Sequence, residues 1–170
     1  MFIGFVTLSS TLKFLFLGKN TSNVPTNSTT TPTYRVYGAS GLMANGTGSL
    51  TEKETGVVTG ATNATPIVIT SVGHGLTTGQ RVTVASVGGN TAANGTWTIT
   101  VTGANTFSLD TSVGNGVYTA GGTTQTTGLY EVSLTPTSGN GFVQGGWYDV
   151  IIVATIGGSA VAHQFRFGVI

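Results

Sequence analysis

The chain has 170 residues with six Lys and Arg, five Asp and Glu, two His and no Cys, so charged residues make up only 6 %. A net charge of +1 carried by so few basic residues is too little to neutralise a run of phosphates, which excludes nucleic-acid binding, and it leaves no polybasic anchor for a membrane surface. The lack of Cys rules out a disulfide scaffold, a thiolate zinc site and a thiol nucleophile.

Residues 1–17 are apolar, but no basic stretch precedes them and Lys13 falls inside, so the segment is expected to be retained rather than cleaved as a signal. Thr7, Ser9, Ser10 and Thr11 also make it a poor membrane span. Thr11–Leu17 alternates and predicts a strand with Leu12, Phe14 and Phe16 on one face. After a Thr/Asn/Pro loop, further strands are predicted at 33–37, more weakly at 48–54, and then at 67–70, 81–84, 96–101 and 106–109. The last third adds 129–134, 147–155 and 160–167. Gly and Thr interrupt every window long enough for a helical pattern. About ten short strands with frequent turn signals predict an all-β chain.

Asn94-Gly95 predicts a tight hairpin turn, because both central positions of a type I′ turn need positive φ. Gly157-Gly158 predicts a second one, joining a long C-terminal hairpin. Tyr148, Val150, Ile152 and Ala154 would line one face of that hairpin, and Trp147, Asp149, Ile151 and Val153 the other. Both faces are largely apolar, which places this hairpin centrally in a sandwich. Trp97 and Trp147 lie in strand patterns and are expected in the core.

Little in the chain suggests catalysis. His74 lies in a Gly-His-Gly-Leu turn, where an imidazole can bond turn backbone, and His163 lies in an alternating strand. Asp110-Thr111-Ser112 has a superficial likeness to the aspartic-protease signature, but with no second copy it would work only as a homodimer; a turn is the simpler reading. The glycine-rich stretches at 114–116 and 139–141 precede strands, not helices, so they lack the N-terminal N–H groups of a phosphate loop. Neither enzymatic activity nor a cofactor or metal is expected. The Asn-x-Ser/Thr sequons at Asn20, Asn27, Asn45, Asn63 and Asn94 are attributed to composition.

One stretch carries a more specific signal. His74-Gly75-Leu76-Thr77-Thr78-Gly79-Gln80-Arg81-Val82 is followed by Val87-Gly88-Gly89, Asn94-Gly95, the run 105–112 from Asn105 to Ser112, and Tyr118-Thr119-Ala120-Gly121-Gly122. In order, spacing and turn chemistry this run resembles the small β-barrel module beside the first catalytic cysteine half-domain of ubiquitin-activating enzymes. That module recurs in structural proteins of tailed bacteriophages. It is accessory in the enzymes, so no catalytic residue carries over; this chain also lacks Cys and a nucleotide-binding Gly loop opening a helix. The flanks, with their Thr127–Pro136 and Gly145–Gly158 stretches, are similar to immunoglobulin-like parts of phage virion proteins.

The resemblance implies an immunoglobulin-like β-sandwich formed by 1–56 and 125–170, interrupted by a small inserted β-barrel at 57–124. It implies a virion location and a non-enzymatic role as a capsid decoration protein. The alternatives are a tail component (fibre base, baseplate or tube accessory) and a glycan-binding adhesin module. The implied partners are the major capsid protein or tail proteins together with further copies of the chain, a trimer being favoured. The candidate assembly contacts are Phe2, Ile3, Phe5, Val6 and Leu8 in an N-terminal arm, and Phe165, Phe167 and Ile170 at the other end. Such an arm can add a strand to a neighbouring sheet or fold back on its own sandwich.

Overall fold

A computed structural model describes all 170 residues, apart from the side chains of Ala44 and Glu54. The chain is all-β. Its strands are β1 (Phe2–Val6), β2 (Leu12–Leu17), β3 (Thr33–Gly38), β4 (Gly41–Ser49), β5 (Thr51–Val57), β6 (Gly60–Ala61), β7 (Ile67–Thr70), β8 (Arg81–Ala85), β9 (Gly95–Gly103), β10 (Thr106–Leu109), β11 (Thr123–Leu134), β12 (Trp147–Ile156) and β13 (Ser159–Val169). They divide into two compact units, Met1–Thr51 with Gly128–Ile170, and Glu52–Thr127.

The first unit is a sandwich. One layer is a five-stranded sheet in the order β1-β13-β12-β3-β4, and the other is the antiparallel ladder of β2 with the second half of β11, Leu129–Leu134. Strict alternation turns one face of each strand inward. Phe14 and Phe16 of β2 and Tyr130, Val132 and Leu134 of β11 are buried against Val36, Tyr148, Val150, Ile152, Phe165 and Phe167 of the sheet. Phe14 meets Phe165 with ring centroids 5.5 Å apart. The Gly157-Gly158 turn forms as expected: both residues have positive φ, 57° and 82°, and Ile156 pairs with Ser159.

Gly128 shows why glycine is needed where β11 passes from one unit to the other. Its φ is +74°, and a Cβ there would lie 2.7 Å from the carbonyl oxygen of Gly18 and 2.9 Å from the backbone of Thr26. A side chain would collide with main chain that has no room to move.

The second unit gathers β8, β9, β10, β7 and β6 in that order, with the first residues of β11 paired to β8. Its separate core holds Ile67, Ile69, Val82, Val84, Ile99, Phe107 and Leu109. The inserted sheet stops short of a closed barrel. β5 pairs with β11 at one end and β6 with β7 at the other. Between them Val58 and Thr59 leave the ladder and donate single bonds, to the carbonyls of Gly122 and Thr70.

The β8–β9 connection corrects the Asn94-Gly95 expectation. Asn94 has a φ of −69°, incompatible with a type I′ turn, and follows a 3-10 turn at Thr91–Ala93. Its amide instead pairs with Val87 as a strand residue would. Val87 N–H donates to Asn94 Oδ1 at 2.8 Å, and Asn94 Nδ2 donates to the Val87 carbonyl at 3.0 Å. The side chain closes a wide loop from within, so Asn serves here as a backbone mimic.

Candidate interaction surface

The five-stranded sheet places the candidate contacts in two different environments. β1 lies on its own chain, parallel to β13, with Phe5 opposite Gly168 and Val6 opposite Val169. Ile170 N–H donates to the Val6 carbonyl and Arg166 N–H to that of Met1, which ties both termini into the sheet. Val6, Phe165 and Phe167 are buried in the core, and Ile3 and Leu8 pack against it. Phe2, Phe5 and Ile170 face outward, each more than half exposed. Five of the eight residues are therefore core, and three are surface.

A bulge produces this division. Register slips between Phe2 and Gly4, with Gly4 at φ +120°, so two residues three apart emerge on one face of β1. Phe2 and Phe5 meet edge to face at 5.5 Å. Trp147 completes the cluster, 5.7 Å from Phe2 and 5.5 Å from Phe5. Its cross-strand neighbour is Gly168, whose missing side chain makes the space for Phe5; a Cβ there would sit 2.7 Å from the Phe5 ring. Trp147 is 52 % exposed, which corrects the expectation that it is a core residue. β12 is central within its sheet, but the outer face of that sheet is uncovered at Trp147 and Val153.

On the same pair of strands Arg166 holds Asp149 through two of its guanidinium nitrogens, Nε and Nη2, at 2.8 and 2.7 Å. This bond is the main reason that the Asp149 carboxyl is held below the ordinary carboxylate range, and it raises Arg166 in turn.

Trp147 also borders a groove of about 550 Å³ at the end of the sheet. Leu42, Met43 and Asn45 of β4, Asn140 of the 3-10 turn Ser138–Asn140, and Tyr148 line it with glycine backbone between them. Asn45 Nδ2 donates to Asn140 Oδ1 at 3.4 Å. None of the described lining residues carries a charge.

The candidate chemical groups are engaged in structure. His74 is 5 % exposed; its Nδ1 accepts from Leu76 N–H at 3.0 Å, which leaves Nε2 to donate to the Gly103 carbonyl at 3.2 Å. Its ring packs edge-on against Phe107. Asp110 opens a turn in which Thr111 has a φ of +65° and Ser112 Oγ accepts from Ile67 N–H while donating to the Leu109 carbonyl. His163 is exposed on β13, its ring 4.7 Å from that of Phe165. Among the described residues no group of three or more His, Asp or Glu is arranged to hold a metal ion. No helix among them is long and apolar enough to cross a membrane.

The cluster of Phe2, Phe5 and Trp147 was only partly legible in the sequence. Phe2 and Phe5 stand out as apolar residues in a terminal arm, but three-residue spacing in a strand normally puts side chains on opposite faces. Gly4 was the one signal that could have revealed the bulge. Comparison with protein-family models and with curated proteins finds no match to this chain.

Proposed function

We propose that this chain is a non-enzymatic structural subunit of a tailed-bacteriophage particle, a capsid decoration protein that attaches through its sandwich unit. The observation that carries the reading is the outward aromatic pair of Phe2 and Phe5 on β1, an edge strand of its sheet. Each ring is about half exposed. With roughly 200 Å² per aromatic side chain, the two leave about 200 Å² of ring surface in water. Covering it at an interface is worth about 5 kcal/mol before the cost of association is counted. An edge strand with open backbone groups can add ladder bonds to that gain. A surface covered mainly by Thr, Ser, Asn and Gly, with 6 % charged residues, has little else to keep copies apart. The motif resemblance at residues 74–122 supports the particle as the setting, with the capsid protein and further copies of the chain as partners, arranged as a trimer.

Removing residues 1–8 would strip Ile3, Val6 and Leu8 from the core, so the arm is better tested by point changes. The double variant Phe2→Ser/Phe5→Ser is expected to fold and to lose at least about a hundredfold in affinity for particles lacking the native protein, measured by co-sedimentation. Attachment at wild-type stoichiometry would remove the cluster from the assembly contact.

A further inference from the structure

We propose that the groove beside Trp147 binds a short, uncharged oligosaccharide, a ligand site separate from the assembly contact at Phe2 and Phe5. Three observations converge on that chemistry. The Trp147 ring is half exposed, yet it is braced by Phe2 and Phe5 at 5.7 and 5.5 Å, so it presents a fixed apolar plane. The C–H face of a pyranose ring stacks on such a plane, and little side-chain freedom is lost on binding. The groove's volume of about 550 Å³ falls in the ordinary range for small-molecule sites.

The polar groups match a polyol. The Asn45–Asn140 contact uses one N–H of the first amide and one acceptor position of the second. A carboxamide has two donors and two acceptor positions, so both side chains have further capacity at the groove wall. Ser40 and Ser138 add hydroxyls to the lining. Sugar hydroxyls both donate and accept and need partners of this mixed kind. An anionic or cationic ligand would need an opposite charge, and no described lining residue supplies one.

A peptide strand is the competing occupant, because β4 is the other edge of the sheet. Strand addition needs an unbroken ladder, and β4 does not offer one. Arg35 pairs with Thr47 but Tyr37 pairs with Leu42, so the residues between 42 and 47 leave the register. That departing segment contributes Met43 and Asn45 to the groove.

The test uses the full chain carrying Trp97→Phe, which leaves Trp147 as its single tryptophan. Its emission is followed during titration with maltohexaose, cellohexaose and chitohexaose, with an oligogalacturonate as the charged counterpart and an alternating Val-Thr heptapeptide as the strand mimic. A saturable shift with at least one neutral sugar, and none with the other two ligands, is expected. Calorimetry with that sugar should show affinity lowered about tenfold or more by Trp147→Ala and by Asn140→Ala. Asn140 is outside the core, so its variant reports on the groove if Trp147→Ala fails to fold. Phe2→Ser/Phe5→Ser should lose particle attachment while Asn140→Ala keeps it, which separates the two surfaces. No shift with any neutral sugar, an equal shift with oligogalacturonate, or a shift with the heptapeptide alone would overturn the proposal.

Discussion

Excising residues 52–127 and joining Thr51 to Gly128 with a short Gly-Ser link is expected to leave a cooperatively folded sandwich. Among the described residues, all 17 buried in its core lie in Met1–Thr51 or Gly128–Ile170, and the 12 of the other core all lie in the excised block. The ladder of β2 with Leu129–Leu134 and the whole five-stranded sheet also survive. The 51 residues before the excision and the 43 after it predict an unfolding enthalpy of about 65 kcal/mol near 60 °C, with a heat-capacity step of about 1.3 kcal/mol/K. Differential scanning calorimetry reads both quantities directly, and agreement of the calorimetric with the van't Hoff enthalpy establishes cooperativity. The absence of a transition, or an enthalpy below about half that value, would mean that the sandwich core depends on the excised unit and that the division is wrong.

The remaining expectations concern single side chains. Gly128→Ala should cost at least about 2 kcal/mol in urea unfolding, because a positive φ and fixed backbone contacts act together, whereas Gly73→Ala, at φ +62° with open space around it, should cost only about 1 kcal/mol. His74→Ala should destabilise by about 2 kcal/mol and speed hydrogen exchange at the Leu76 amide, since it removes a buried acceptor. The Asp149 carboxyl is depressed in the folded state by Arg166, so its contribution is complete above the unfolded carboxylate value of about 3.9 and is lost as pH falls through the lower folded value. The stability difference between wild type and Asp149→Asn should accordingly be constant above about pH 5 and shrink below about pH 4.

Where burial follows a simple period, the strands could be read from residues alone. Tyr148, Val150, Ile152 and Ala154 alternate and are all buried, and Gly157-Gly158 turns the chain back as its dihedral requirements dictate. Two of the misreadings have a local cause: a side chain replaced backbone, or the backbone left its period. Asn94 closes a loop with its amide, which local turn rules do not register. β4 holds few apolar residues and breaks register between residues 42 and 47, so its pattern is faint. The first half of β11 buries Thr124, Thr126 and Thr127 rather than aliphatic residues, and threonine in so Thr-rich a chain gives no contrast. Trp147 was misplaced because a strand with two apolar faces reads as covered on both, and only the tertiary arrangement shows which face has no layer above it.

Imaging intact particles produced from the genome that encodes this chain tests the account most directly. The account predicts density for the sandwich repeated at symmetry-related positions on the shell, with the Phe2 and Phe5 face covered by a neighbouring subunit. Purified particles that contain no copy of the chain would contradict it.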